Sequence, residues 1–396
     1  WTEEALRGGV RSFFAAYGDH QPKPIYVTLG NEPNNTGERL KEAVRAYQIV
    51  YDEIKKVAPE TIVISTSIGA TEEYFQLGYQ DACDVFDFHT YESPIDIREA
   101  IERFNVLMKK YDCVKPVWST EIGLNAQGMT RQYIAGDMVR KTVSFFAGGG
   151  GAMAWFGFLY PDPDAKNVGS TGDAFNMFDS RYRVYGPRLD AIMYTNLING
   201  ILVKKVVDER VWEGGINGCL FRDQDGHCFA VLWKDSGTKD VRLPLAGVTA
   251  VRRIGIDGRI TDLDAAGEGI DLTVSEDPVL LTYDGPDRLA EFLGSPALRI
   301  ASAPRRLVRG VAGTIDLAGV VDAQQVSVEA PPFWTVVRDA EQPLRFHVTS
   351  PASSRVTAGD CRILLRRADG TVASELAWRP DVTGRLDVEI RPVPAA

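Results

Sequence analysis

The first 158 residues alternate short apolar runs with longer segments of helical periodicity. The apolar runs are continuous, which is typical of parallel strands that are covered on both faces. Strands are predicted at 25–29, 61–66, 84–89, 116–121 and 152–158, and helices at 2–17, 36–57, 71–79, 95–111, 130–147 and 187–202. This order predicts an α/β fold, and a (β/α)8-type barrel is the leading way to close its sheet.

Such a barrel needs eight strands, and only five are visible, which we interpret as its strands 4 to 8. The first predicted helix precedes the first visible strand, as though the chain joins the barrel midway. We therefore expect about three strands from a segment N-terminal to Trp1, in an upstream stretch or a separate chain. The alternative is an incomplete barrel whose open edges are covered by another subunit.

The pattern changes after the helix at 187–202 to short strands separated by Gly and Asp turns, which indicates β-sandwich structure. The predicted domains are the C-terminal, catalytic part of a barrel at 1–202, a β-sandwich packed on the barrel at 203–286, and an additional β-sandwich at 295–396. Trp334 and Trp378 in the last domain are interpreted as core residues, with polysaccharide binding as the alternative.

The composition excludes some classes of protein. A formal net charge of -10 argues against nonspecific nucleic-acid binding, and no apolar stretch approaches the roughly 20 residues that span a bilayer. Because the chain begins with Trp1, removal of a signal peptide stays open, and a secreted or periplasmic location is slightly favoured. The five cysteines are interpreted mostly as buried thiols, with a Cys219–Cys228 disulfide across a hairpin as the alternative.

Two glutamates carry the functional hypothesis. Glu32 ends the first apolar run within Gly30-Asn31-Glu32-Pro33-Asn34, and Glu121 ends a later run roughly ninety residues further on. A carboxylate at the carboxyl end of a buried strand is costly as structure and useful as chemistry. A surface turn that caps the next helix is the alternative for Glu32, but strands four and seven of a barrel face each other across its mouth. The spacing therefore predicts a pair of catalytic carboxylates.

The motifs resemble the clan A retaining glycoside hydrolases, from about residue 25 to residue 158. The likeness lies in Gly30-Asn31-Glu32-Pro33-Asn34, His89-Thr90-Tyr91, Thr120-Glu121 and Trp155, in the order that this clan shows on strands four, six, seven and eight. The chain is most similar in character to the family of β-xylosidases and α-iduronidases and to the cellulase-like families.

This resemblance implies that Glu32 is the general acid and base, Glu121 the nucleophile and Asn31 a donor to the sugar 2-hydroxyl. Of the neighbouring residues, Tyr91 is expected to orient the nucleophile, His89 to bind a sugar hydroxyl and Trp155 to stack on a pyranose ring. The expected activity is retaining hydrolysis of an oligo- or polysaccharide, with no metal and no cofactor.

Three points stay open at this stage. The chain is alternatively a catalytically inactive carbohydrate-binding barrel, or a transglycosidase that uses the same covalent intermediate. The long segment from Tyr160 to Ser180 is interpreted first as a substrate lid, with a calcium site or a solvated loop as alternatives.

Overall fold

The computed structural model describes residues 1–18, 24–159, 174–179, 186–212, 215–243, 248–263, 269–285, 298–319, 321–352 and 359–384 of the 396-residue chain. The chain divides into two units, Trp1–Leu197 and Ile198–Ala396. The first is of mixed α/β type, and the second is built mainly from antiparallel sheets. Among the described residues, no helix has the length and apolar character needed to cross a membrane.

The first unit contains parallel strands separated by helices, as its periodicity predicts. Its helices are α1 (Glu3–Tyr17), α2 (Gly37–Val57), α3 (Glu72–Gln76), α4 (Pro94–Lys110), α5 (Arg131–Ala147) and α6 (Leu189–Ile201), the last of which continues into the second unit. Its strands are β1 (Tyr26–Thr28), β2 (Ile62–Ile64), β3 (Phe86–Thr90), β4 (Val117–Ile122), β5 (Met153–Trp155), β6 (Phe178–Asp179) and β7 (Gly186–Pro187).

Local sequence explains where the helices of this unit begin. Ser93 caps α4 through a capping box with Asp96, and Pro94 occupies the first turn, where its missing N–H costs nothing. The Thr130 hydroxyl accepts the Tyr133 N–H at the start of α5. These caps fix the loops that follow β3 and β4, and those two strands carry most of the candidate site.

The five strands β1 to β5 follow one another in space and run parallel. β1 pairs with β2, an isolated parallel bridge joins Ile64 to Val85, and β3, β4 and β5 form one sheet. The rings of Tyr26 on β1 and Trp118 on β4 touch edge to face, with centroids 5.4 Å apart. Since strands are spaced about 4.8 Å apart, three steps across a flat sheet would separate these strands by about 14 Å. The strand set is therefore strongly curved.

The helices α2 to α5 cover one side of these strands with a shared apolar core. Phe86 stacks on Phe104 of α4, and Phe88 contacts both Phe104 and Phe145 of α5. All four rings are fully or almost fully buried. Burial of an aromatic side chain contributes about 1.5–3 kcal/mol relative to exposure, so these contacts hold β3 firmly in place.

The second unit contains two β regions. The strands of the first region are β8 (Lys205–Trp212), β9 (Ile216–Arg222), β10 (His227–Lys234), β11 (Lys239–Leu243), β12 (Thr249–Ile254), β13 (Ile260–Asp262), β14 (Ile270–Val274) and β15 (Val279–Asp284). A six-stranded sheet of order β13-β12-β15-β10-β9-β8 shares one apolar core with the pair β11-β14.

The strands of the second β region are β16 (Leu298–Ser302), β17 (Arg306–Val308), β18 (Ala312–Gly319), β19 (Val326–Glu329), β20 (Thr335–Arg338), β21 (Arg345–Thr349), β22 (Cys361–Arg366), β23 (Val372–Trp378) and β24 (Asp381–Thr383). They form sheets of order β16-β18-β21-β20 and β19-β22-β23, whose inner faces share a core, and β17 pairs with β24. Trp378 is buried in this core and Trp334 packs against it, in agreement with their interpretation as core residues.

The structure contradicts the alternative of a disulfide between Cys219 and Cys228. In the β9–β10 register Cys219 lies opposite Val231, while Cys228 lies opposite Arg222. The two thiols are offset by three residue positions, and all five cysteines are free. The hairpin turns between Arg222 and His227, and because consecutive residues of both strands are buried, the apolar pattern does not distinguish one register from another.

Candidate active site

Glu32 lies in the loop after β1, in an unusual backbone conformation. Its φ is 46°, in the left-handed region that non-glycine residues seldom adopt. Its N–H donates to Ser67 Oγ over 3.0 Å, and the preceding loop is tied by the Leu29 N–H to the Ile64 carbonyl. These bonds turn the Glu32 side chain, which is 54% exposed, toward the ends of β3 and β4.

A bulge between β3 and β4 sets the direction of the other site residues. Asp87 is aligned with Trp118 and His89 with Glu121, so two steps along β3 match three along β4. Bulges of this kind redirect side chains and are common beside active sites. The irregularity lets His89 contact both Thr120 and Glu121, although these two are consecutive in the chain.

The centre of the site consists of Glu32, Glu121 and His89, and the His89 ring lies between the two glutamates. His89 Nδ1 is 2.9 Å from Glu32 Oε1 and 3.4 Å from Glu121 Oε2. One side-chain oxygen of each glutamate and a ring nitrogen of His89 all lie within 4.8 Å of one another. The His89 side chain is only 6% exposed and that of Glu121 21%, so solvent reaches the site mainly from the Glu32 side.

Tyr91 orients Glu121. Its hydroxyl donates a short hydrogen bond to Glu121 Oε1. The Tyr91 ring is held edge to face by Phe156 and Phe175. A Cβ on Gly123 would come within 2.6 Å of the Tyr91 ring, so this glycine leaves the space that the ring occupies.

Behind His89 lies a third carboxyl group, that of Asp87, which is 1% exposed. The Thr120 hydroxyl is 2.9 Å from His89 Nε2 and 2.7 Å from Asp87 Oδ2, and the Thr120 N–H donates to Asp87 Oδ1 over 2.7 Å. Burial raises the pKa of Asp87, against the opposing effect of these hydrogen bonds. Neither Asp87 nor Thr120 was predicted as a site residue, although Asp87 interrupts an apolar strand.

Lys141 of α5 supports the site from the side of the helices. Its buried ammonium donates to the carbonyls of Tyr91, over 3.0 Å, and Gly123, over 2.8 Å, and it pairs with Asp137. Burial lowers the pKa of Lys141, while the Asp137 carboxylate opposes that shift. The Lys141 side chain therefore links the two backbone segments that directly follow β3 and β4.

The structure brings together four of the six predicted site residues, namely Glu32, His89, Tyr91 and Glu121. Asn31 directly precedes Glu32 and is exposed. Trp155 is aligned with Ile122 on the next strand, half-buried, with its ring centroid 6.0 Å from Lys141 Nζ. Most of the predicted lid at 160–180 lies outside the described residues.

The atoms of Glu32, His89 and Glu121 are also close enough to hold a metal ion. We interpret the group as an acid–base cluster, because its shortest contact joins a ring nitrogen to a carboxyl oxygen at the length of a hydrogen bond.

No family model matches the chain, and no curated protein matches it. Among solved structures it is similar to a family 39 glycoside hydrolase from Bacteroides cellulosilyticus WH2, with a TM-score of 0.55 and 18% identity over 71% of this chain and 62% of that chain. SrfJ from Salmonella typhimurium has a TM-score of 0.49 and 13% identity, over 72% of this chain and 62% of that one. The endo-β1,6-glucanase BT3312 has a TM-score of 0.45 and 12% identity, over 72% and 64% of the two chains.

At 18% identity, the first of these likenesses concerns the fold. The chain shares the fold of a glycoside hydrolase and spans about three fifths of that protein's length.

Proposed function

We propose that this chain carries the catalytic residues of a retaining O-glycoside hydrolase that acts on an oligo- or polysaccharide. The observation that carries the proposal is the pair of glutamates whose nearest oxygens lie within 4.8 Å. Retaining enzymes place their carboxyl groups about 5–5.5 Å apart, while inverting enzymes leave about 6.5–9.5 Å for a water molecule. The fold shared with a glycoside hydrolase and the resemblance of the motifs point the same way.

The surroundings of the two glutamates support different roles. Glu121 is the less exposed of the two and accepts a hydrogen bond from the Tyr91 hydroxyl. This hydrogen bond stabilises an ionised, well-oriented nucleophile. Glu32 is more exposed and contacts His89 Nδ1, which suits a group that must exchange protons with a leaving group and with water. We assign Glu121 as the nucleophile and Glu32 as the general acid and base.

The proposed reaction has two steps. A Glu121 oxygen attacks the anomeric carbon, the bond to the leaving oxygen breaks, and Glu32 gives its proton to that oxygen. Water then attacks the anomeric carbon of the glycosyl-enzyme, Glu32 takes the proton of that water, and the Glu121 carboxylate departs. In this scheme Asn31 and Trp155 bind the sugar through a hydroxyl contact and ring stacking.

Trapping of the intermediate tests this proposal. The wild-type protein would be incubated with a panel of aryl 2-deoxy-2-fluoroglycosides that differ in sugar and in anomer, and its intact mass would be measured. We expect one member to release a burst of aryl alcohol and to add one fluoroglycosyl group, which peptide mapping places on Glu121. A label on another residue would overturn the assignment. Absence of both label and turnover over the whole panel would favour an inactive carbohydrate-binding barrel.

We further propose that β1 to β5 are the second part of a (β/α)8 barrel that other polypeptide completes. The support is the curvature that brings Tyr26 to Trp118 and the open edge of β1, where Ile25 is 63% and Tyr26 54% exposed. Within the described residues, β1 pairs through backbone hydrogen bonds only with β2, and β5 pairs only with β4. Native mass spectrometry of the active particle should give a mass above the 43.6 kDa of this chain, and an active particle of 43.6 kDa would overturn the proposal.

A further inference from the structure

Asp87 is a buried carboxyl group to which the proposed mechanism gives no role. It lies on β3 between Phe86 and Phe88, both of which are buried. Its N–H donates to Ser65 Oγ over 2.8 Å, and its two oxygens meet the N–H and the hydroxyl of Thr120. Burying a carboxyl group among aromatic rings is costly, which points to a role for Asp87 in addition to packing.

The donors and acceptors around Thr120 have a fixed direction. An ionised Asp87 can only accept, and the Thr120 hydroxyl has a single proton to give. This hydroxyl therefore donates to Asp87 Oδ2 over 2.7 Å and accepts from His89 Nε2 over 2.9 Å. A neutral His89 then carries its proton on Nε2, which leaves Nδ1 as an acceptor.

This tautomer matters because Nδ1 faces both glutamates. A bare Nδ1 repels a carboxylate and accepts a hydrogen bond from a carboxylic acid, and Glu32 Oε1 lies nearest to it, at 2.9 Å. The Nε2–H tautomer thus stabilises Glu32 with its proton, which is the state that the first step requires. The opposite tautomer would present Nδ1–H to the two glutamates and stabilise both as carboxylates.

We propose that Asp87 and Thr120 are positioning residues that hold His89 in its Nε2–H tautomer and so keep the donated proton on Glu32. This inference rests on the proposed function. We refer to the hydrogen bonds that run from His89 through Thr120 to Asp87 as the relay.

The charged groups around His89 are consistent with this arrangement. Glu32 and Glu121 face Nδ1, Asp87 Oδ2 lies 3.6 Å from Nε2, and Glu121 is already bonded to the Tyr91 hydroxyl. Lys141 reaches the backbone next to this site, at the Tyr91 carbonyl. Burial raises the pKa of Asp87, but the hydroxyl and N–H of Thr120 both donate to it and so favour its ionised form.

The variant Asp87→Asn tests the relay. In this variant the amide oxygen can still accept the hydrogen bond from the Thr120 N–H. The amide NH2 group then occupies the place of Oδ2 and donates to the Thr120 hydroxyl. The proton of that hydroxyl is then available to His89 Nε2, and a ring that accepts it there carries its own proton on Nδ1. The chain has four histidines, so the ring 15N shifts of His89 can be assigned by comparison with His89→Gln. We expect Nε2–H in the wild type and Nδ1–H in Asp87→Asn.

Kinetics give the second measurement. For substrates with a poor leaving group, kcat/KM of Asp87→Asn should fall roughly tenfold or more, and the alkaline limb of its pH profile should move to lower pH. Substrates with an activated leaving group should be affected much less. Asp84→Asn is the matched control, since Asp84 also accepts a backbone N–H, from Val63, and pairs with Lys55 away from the site.

An unchanged His89 tautomer in Asp87→Asn overturns the relay, as does an equal loss on both substrate types. If Asp87→Asn does not fold, Thr120→Val carries the test, because it cuts the chain and keeps the side-chain shape. The tautomer should then no longer be fixed, while Thr120→Ser should restore it. The 15N shifts do not depend on turnover, so the predicted switch in a protein without glycosidase activity would overturn the proposed function and leave the relay standing.

Discussion

Replacement of Glu121 by glutamine is expected to lower turnover by on the order of 10⁴-fold or more, because the amide keeps the shape of the side chain and removes the nucleophile. The Tyr91 hydroxyl can still donate to the amide oxygen, so the local packing should persist. Sugar binding should be largely retained, and no glycosyl-enzyme should form. Intact mass after incubation with the fluoroglycoside, together with steady-state kinetics, measures both effects.

Glu92→Gln is the matched control for this change. Glu92 is an exposed glutamate directly after Tyr91, and its removal should leave turnover close to that of the wild type. If Glu121→Gln instead keeps more than about a few per cent of the wild-type rate, Glu121 is not the nucleophile.

Replacement of Glu32 by alanine is expected to act according to the leaving group. Hydrolysis of unactivated glycosides should fall by about 10²–10⁴-fold, since protonation of the leaving oxygen is lost. Activated aryl glycosides need little protonation, so their glycosylation step should be affected far less. Azide should partly restore turnover of such substrates and give the glycosyl azide, because it attacks the glycosyl-enzyme without a base.

Glu38→Ala controls for this change, since Glu38 lies six residues further on, exposed in the first turn of α2 and paired with Lys41. Equal losses on both substrate types, without rescue by azide, would argue against Glu32 as the acid and base.

The sequence predicted much of the first unit because its strands and helices differ strongly in period. The predicted helix at 130–147 is α5 (Arg131–Ala147), and the predicted strand at 116–121 is β4 (Val117–Ile122). Glu32, His89, Tyr91 and Glu121 were predicted as site residues because each follows or ends an apolar run, and the structure places their side chains together. The strands β6 and β7 were not predicted, since two residues carry too little periodicity to be recognised.

The residues behind the site were harder to predict. Asp87 lies two residues before His89, which in a regular strand places both side chains on one face, and that signal was available. Thr120 was not accessible in the same way, because its contact with His89 depends on the bulge between β3 and β4. Lys141 sits on a helix whose buried side is otherwise mostly apolar, and only the packing of α5 brings its ammonium to the ends of two strands.

The left-handed backbone of Glu32 has a consequence for protein engineering. A non-glycine residue held there costs of order 1–3 kcal/mol, and glycine would adopt the same φ of 46° without strain. Design methods that optimise folding free energy would therefore favour glycine at position 32. That replacement would raise a stability score and remove the side chain to which we assign the role of acid and base. Thermostabilisation of this chain should hold position 32 fixed and seek its gains elsewhere.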